Sequence, residues 1–548
     1  MIGVISRESQ KAAVEEFFEL FKTPWEHCRD DMEYDVVITT DPASPVPPAK
    51  LVIIFGAVET FLDNREGGTI HFMELGGEFE WEGEMIPVYG RLATFPELRE
   101  PFLSGKGGKA AGFTIVLLDQ KFLRVGYDLF EETEHLLRSG QPAEKAHIPT
   151  LDIHIAMLRK WIVDSGVPLM EIPPSPHGHD FITCLTHDID FMGIRDHKFD
   201  HTMFGFLYRS LVPKYLSGLA PKTFCTRYLK NLRTLLSLPL VHMRILPDFW
   251  YPLDKYPAME KEMKSTFFFL PFKGRPGDPH KGKTEKYRAA RYDLNRYREP
   301  IRSLTCEGRE AGLHGIDAWK DPRKGRKEIE AIRGITGKDR IGVRMHWLYF
   351  SDETPMHLEE AGVYYDSTLG YNDAVGFRSG TSQVFRLPGT SKVFELPLHV
   401  QDTAMLYPGR MHLSEKQAMA RCGKLIRDIT MRGGVFTINW HDRSLAPERN
   451  WDTLYLGLLD TLRAGNTWFA TGGEAVSWFE KRRAARFERA GAPGSFPNVK
   501  LPETLKGEGP PLSLRVHLPD ASVKEGDGPR VPYVDYPLDK TLEPKAGL

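Results

Sequence analysis

The sequence has no apolar run long enough to cross a membrane. Its cleanest stretches, Leu51 to Val58 (LVIIFGAV) and Gly112 to Leu118 (GFTIVLL), fall far short of the roughly 18 residues a span requires and read instead as buried strands. Cysteine is scarce. The five residues Cys28, Cys184, Cys225, Cys306 and Cys422 are odd in number and show no C-x-x-C spacing, which excludes a disulfide scaffold and suits a reducing compartment. Net charge is also nearly absent: 72 Lys and Arg against 74 Asp and Glu leave -2, too little field for a general nucleic-acid binder. Arg7 and Glu8 stand where a secretory signal would need apolar residues, so the expected location is cytoplasmic. What is present, 41% hydrophobic and 27% charged residues, is enough for a sizeable core in each of several domains.

Residues 1–170 read as a small α/β domain, with a helical pattern around Glu15 to Phe21, Gly- and Pro-broken strands, and a second helix near Ile153 to Ile162. The segment EIPPSPHG, Glu171 to Gly178, cannot continue a helix and marks a boundary. Over residues 178–485 strands alternate with helical patterns: FITCLTHDID, STFFFLPF, AGLHGID, IGVRMHWLYF, VFELPLHVQD, GGVFTINWHD and TWFATGG. Seven strands spaced by helix-length segments predict a parallel α/β barrel. Residues 194–247 form an insertion with nine Lys and Arg against Asp196 and Asp200. Phe224, Tyr228, Leu232 and Leu235 recur there at helical spacing beside Arg227, Lys230 and Arg233. Such a basic amphipathic helix suits peripheral contact with an anionic membrane, a grip on an acidic glycan, or packing on the barrel with a solvated basic face. Residues 486–548 turn to Gly, Pro and Lys and read as a tail with one strand at Leu512 to Leu518.

The expected strand ends carry Asp188 and Asp190, His314, Arg344 and His346, Asp402, and His441 with Asp442, a set too polar for a structural rim. In Thr186-His187-Asp188-Ile189-Asp190 the two carboxylates lie two residues apart and share one side of the strand. One can bind a cation while the other takes a proton from water. Asp190 with His314 and His346 makes a facial set that leaves positions open for water and substrate, as a catalytic metal site needs.

LTHDID, STFFF, GLH, GVRMH, YYDSTLGY followed by GFRSGT, LPL with Asp402, and NWHDR together resemble the ordered motifs of the NodB-like polysaccharide deacetylases, carbohydrate esterase family 4, in a bacterial branch with LTHDxD in place of TFDDG. The resemblance covers about Val125 to Arg483. It implies a distorted (β/α)7 barrel and a divalent metal, zinc before others, serving the removal of acetyl groups from amino sugars. It further implies Asp188 as base, Asp190 and His314 as metal ligands, Arg344 as the residue orienting the base, and His441 as the acid. Two positions depart from the pattern. The second histidine of H-x-x-x-H falls at Ala318, and R-P-P-Y reads Arg344-Met345-His346-Trp347. His346 is therefore expected to supply the missing ligand, with His187, Asp317 and His399 as fallbacks. Asp402 is expected to hydrogen-bond His441 and raise its pKa. Trp347, Tyr371 and Trp440 are expected to stack on sugar faces, and the Trp347 N–H to meet the oxyanion.

The expected activity is hydrolysis of the acetamide of an N-acetylated sugar in a polysaccharide, a glycan precursor or a lipid-linked sugar. Two alternatives stand beside it. One is a hydrolase of a non-sugar amide or imide on the same barrel, and the other is a catalytically inactive glycan-binding module, suggested by Ala318 at a ligand position.

Overall fold

The computed structural model describes residues 1–60, 62–63, 70, 72–95, 101–117, 120–212, 221–283, 285–488, 498–502, 509–519 and 533–538. Parts of the 194–247 insertion and of the 486–548 tail lie outside them.

The amino-terminal region is built on a nine-stranded mixed sheet. Ile2–Ile5, Tyr34–Thr39, Ala49–Phe55 and Gln120–Val125 run parallel, and the long hairpin Phe72–Trp81 and Glu84–Thr94 extends the sheet antiparallel. LVIIF is apolar throughout because both its faces are covered: Leu51, Ile53 and Phe55 enter one core, Val52 and Ile54 another. Helix Leu129–Arg138 begins where Asp128 accepts the N–H groups of Phe130 and Glu131, and Thr150–Asp164 follows it. This region is bolted to the next one. Gln141 Nε2 donates to the Phe377 carbonyl at 2.6 Å, Arg482 donates to the Glu19 and Leu20 carbonyls at 3.0 and 2.9 Å, and one hydrophobic cluster runs from Val14 through Leu185 to Leu459.

The second sheet is a barrel of parallel strands. Phe181–Ile189, Ser265–Phe269, Glu310–Gly315, Gly342–Met345 and Tyr365–Asp366 pair in succession, and Val435–Asn439 lies on the other side of the first. A single segment closes the ring. Phe394 pairs with Tyr365 while Val400 pairs with Ile438, and between them the Leu396 N–H donates to Asp366 O at 2.7 Å and the His399 N–H to Thr437 O at 3.1 Å. The barrel therefore has seven staves, as expected, but with one exchange. Thr467–Phe469 of TWFATGG pairs only with the start of the first strand, outside the ring, and Tyr365–Asp366 takes its place. VFELPLHVQD is also split into Phe394–Glu395 and Val400–Gln401, since Pro397 cannot donate within a continuous strand.

The insertion contributes helices His201–Leu211 and Pro221–His242. Its polarity differs from the expectation of a solvated basic face. Arg227 donates to Thr453 Oγ1 at 2.8 Å and Lys230 meets Asp452 at 3.4 Å, so these cations face the barrel, while Leu229, Leu236, Leu240 and Met243 are exposed. In the tail, Ser513–His517 pairs antiparallel with Leu169–Glu171 and with Tyr533–Pro537.

Candidate metal centre and catalytic cleft

All nine residues of Phe181–Ile189 are buried, and alternation decides what each side chain does. His187 points into the helix layer, where Nδ1 lies 2.9 Å from Trp440 O, Nε2 lies 2.7 Å from Glu260, and Tyr256 stacks on the ring at 3.7 Å. Asp188 and Asp190 take the other side and line a cavity of about 150 Å³ with His314, His346, Trp347 and His441.

Three donor atoms converge there. His314 Nε2 and His346 Nδ1 are 2.8 Å apart, and each stands 3.3 Å from Asp190 Oδ1. A tetrahedral ion with bonds of ~2.0–2.1 Å needs ligand separations of roughly 3.3 Å; the two edges to Asp190 meet this, the 2.8 Å edge between the histidines would open by about half an ångström around a divalent metal, and the opposite side is left open. Asp190 Oδ1 is buried with no hydrogen-bond partner among the described residues, the mark of an oxygen meant for a cation. His314 Nδ1 faces the Arg344 carbonyl at 2.9 Å, which leaves its Nε2 lone pair for metal. Burial pushes His346 down to about 3, so it is a neutral imidazole, and its Nδ1, hydrogen-bonded to His314 Nε2, gives up that contact when it turns a lone pair to a metal. Burial alone would raise the Asp190 carboxyl, but His346, His314 and His441 hold it below the usual range.

The fallback ligands are not at this site. Both nitrogens of His187 are engaged, and Asp317 Oδ1 accepts the Asp278 N–H at 2.6 Å. His399 packs behind the strands against Phe377. Ala318 is fully buried, and a Cβ added to Gly325 in the covering helix Pro322–Thr336 would stand 2.9 Å from its own Cβ. There is no space for an imidazole. We expect Ala318→His to restore no metal in a His346→Ala background and to lower thermal stability by overpacking, about 1–3 kcal/mol in a melting experiment.

Asp188 is braced on both oxygens. Arg344 Nη1 donates to Oδ1 at 3.1 Å and Asn439 Nδ2 to Oδ2 at 2.7 Å. Arg344 is fixed in turn by Thr186 Oγ1 at 2.7 Å, Ser367 O at 2.9 Å and Ser367 Oγ at 2.8 Å. Burial opposes ionisation of Asp188, but His314, Arg344 and His441 outweigh it and hold the carboxyl low. His441 Nδ1 lies 2.6 Å from Asp402 Oδ1, and Asp402 Oδ2 accepts the His441 backbone N–H at 2.7 Å. Burial would lower this imidazole, yet Asp402, with Asp188 and Asp190, raises it to about 9. Asp442 ties down the loop after Asp190 by accepting the Phe191 and Met192 N–H groups at 2.6 and 3.0 Å.

Of the three aromatics expected at the mouth, only Trp347 lines the cavity. It and Leu348 take left-handed φ values of 65° and 55°, a strain of about 1–3 kcal/mol per residue at the turn that follows His346. Trp440 is buried and packs on Tyr455 at 5.0 Å, since alternation sends His441 to the mouth and its neighbour to the core. Tyr371 is also buried, donating to Gln141 O at 2.7 Å. Sequence reading missed Asn439, Thr186 and Ser367, whose only signal was a polar residue at or near a barrel strand end. It also missed the arginines at the cleft, Arg410, Arg443 and Arg449.

No protein-family model matches the chain, and no curated protein matches it. Among solved structures, a candidate polysaccharide deacetylase from Mycobacterium smegmatis is 18% identical, with 61% of this chain and all of that one covered and a TM-score of 0.35. A candidate polysaccharide deacetylase from Pseudomonas aeruginosa is 13% identical, with 56% and 95% covered and a TM-score of 0.35. A Puue allantoinase is 12% identical, with 55% and 92% covered and a TM-score of 0.34. Values of this size carry no functional assignment, which has to come from the geometry.

Proposed function

We propose that the chain is a metal-dependent hydrolase that removes the acetyl group from an N-acetylated sugar. The observation that carries this reading is the position of Asp188 Oδ2, 3.9 Å from His314 Nε2 and 3.9 Å from His441 Nε2. A braced carboxylate thus stands between a cation-binding face and a charged imidazole, as amide hydrolysis requires. Asp190, His314 and His346 would hold the divalent ion, zinc before others, which polarises the acetyl carbonyl and acidifies water when bound. Asp188 accepts the water's proton, with Arg344 and Asn439 fixing its orientation. His441 gives its proton to the departing nitrogen, without which the amine cannot leave. The Trp347 N–H is assigned to the oxyanion. His346 in the place left by Ala318 favours an active site over an inactive binding module.

The test is acetate release from N-acetylhexosamine oligosaccharides beside turnover of small cyclic amides. Acetate from the sugars supports the reading, and turnover of the cyclic amides alone replaces it with amidohydrolysis. Metal content below about 0.2 per chain after growth in zinc would instead favour the inactive module. We place the activity in the cytoplasm. Among the described residues no helix is long and apolar enough to cross a membrane, and peripheral contact is assigned to the exposed Leu229, Leu236, Leu240 and Met243.

A pH dependence follows from the two titrating groups. Asp188 must be ionised and His441 protonated, so kcat/KM should hold through neutrality and fall as pH rises past about 9. Asp402→Asn removes the main group raising His441. Its alkaline limb should move down toward the 6.5 of an ordinary imidazole, read from pH–rate profiles of the two proteins.

A further inference from the structure

A second cavity of about 270 Å³ adjoins the cleft and shares Asp190, His346, Trp347 and Arg443 with it. Its walls are strongly cationic. Arg209 comes from the inserted helix His201–Leu211, Lys286, Arg288 and Arg291 come from the loop after Ser265–Phe269, and Arg443 follows the NWH turn, while Asp190 is the one carboxylate among the lining residues. Asp190 belongs to the metal site, so it neutralises none of them. Arg288 is structural, because its Nη atoms donate to the carbonyls of Pro276, Asp278, Ile316 and His346.

Arg443 is different. It is buried at 8% exposure with its guanidinium 4.4 Å from the Phe191 ring and 5.0 Å from that of Trp250, and its Nε has no hydrogen-bond partner among the described residues. Arg449 lines the first cavity at the same low exposure, stacked on Trp451. Buried Glu448 stands 3.8 Å from Arg209. Burial first, then Arg449 and Arg209, pushes Arg443 down to about 9, while Glu448 and Asp442 pull the other way with less effect. A buried guanidinium crowded by two others, with its Nε unpartnered among the described residues, is costly, and an arrangement that keeps it is built for an anion.

We propose that this second cavity is an anion subsite for the phosphate or diphosphate of a glycosyl phosphate, so that the acetamido sugar presented to Asp188 and His441 is a phosphorylated building block rather than a neutral polysaccharide chain. The inference rests on the deacetylase reading and narrows it. A single uronate carboxylate would not match the three cations Lys286, Arg291 and Arg443, and a polyanionic chain would need an extended basic groove that a protein of net charge -2 does not supply. A di-anion one sugar ring from the acetamide satisfies both limits, and guanidinium forks match phosphoryl oxygens in pairs. The phosphoryl group comes either from a nucleotide sugar or from a polyprenyl-linked one.

The test is calorimetric titration of the full chain as purified, carrying Asp188→Asn so that ligand is not consumed. The probes are UDP-N-acetylglucosamine, farnesyl-diphosphate-linked N-acetylglucosamine, N-acetylglucosamine 1-phosphate and neutral di-N-acetylchitobiose. At least one phosphorylated probe should bind some 10- to 100-fold more tightly than chitobiose, the gain expected of charge-assisted hydrogen bonds, and the tightest one identifies the source. Lys286→Gln and Arg291→Gln, at exposed positions that do not threaten folding, should each weaken that probe severalfold and leave chitobiose unchanged. Equal affinity for charged and neutral sugars overturns the proposal, and so does a charge preference that both variants retain. Because binding is read without turnover, failure of the deacetylase reading would appear separately, as absent acetate release by the unsubstituted chain.

Discussion

Asp188→Asn should lower turnover by a factor on the order of 10² to 10⁴, the usual contribution of a positioned general base, while metal content stays at the level of the unsubstituted chain. The two halves of this result have separate causes. Asparagine keeps the shape of the side chain and an oxygen for Arg344 Nη1, now 3.1 Å from Oδ1, but it cannot accept a proton from water. The metal triangle of Asp190, His314 and His346 does not include Asp188, whose nearer oxygen is 3.9 Å from His314. One local cost is expected. Asn439 Nδ2 now donates to Asp188 Oδ2 at 2.7 Å, and in the variant two amide groups meet, so a modest drop in melting temperature should accompany the loss of activity. Elemental analysis beside steady-state kinetics decides the matter, and loss of metal in this variant would mean that the two aspartates have been assigned in reverse.

His346→Ala should weaken metal binding about as severely as His314→Ala, since each removes one of three protein ligands from an open site. The triangle is close to symmetrical, with both imidazole nitrogens 3.3 Å from Asp190 Oδ1, so neither histidine is the lesser ligand. The barrel should persist in both variants, because His346 stands just beyond Gly342–Met345 and carries no strand pairing through its side chain. Circular dichroism and equilibrium zinc competition measure the two expectations independently. Retention of full metal with loss of activity would make His346 a substrate-binding group. The geometry then offers no replacement at His187, Asp317 or His399, which are engaged or remote from Asp190.

Much of this centre was legible in the sequence because strand periodicity is a strong local rule. Asp188 and Asp190 two apart on one strand, His314 in AGLHG and His346 in GVRMH fall on one mouth by strand periodicity alone. The supports of the site were not legible. Asn439 meets Asp188 across 251 residues and Ser367 meets Arg344 across 23, and nothing local distinguishes them from other polar residues. The aromatic expectation failed for the converse reason. The sequence neighbours of Trp440 and Tyr371 suggest the mouth, but the strand pleat and the contact with Gln141 turn both side chains inward. Short strands also hid: Tyr365–Asp366 has two residues, too few for a period, although it is one stave of the barrel. The arginines of the second cavity come from three distant segments, so their clustering exists only in the fold.

The pairing of His314 with Arg344 in the strand register means that the two imidazoles belong to neighbouring staves, not to one turn of chain. Fraying of one strand end displaces one imidazole and not the other. Parting of Glu310–Gly315 from Gly342–Met345 draws the two imidazoles away from each other, so an ion held by both leaves faster whenever the sheet opens there. The off-rate of the metal therefore becomes a clock for barrel breathing: exchange with a chelator should slow and quicken with whatever tightens or loosens these strands, and lability would report on the scaffold before any probe of the active site does.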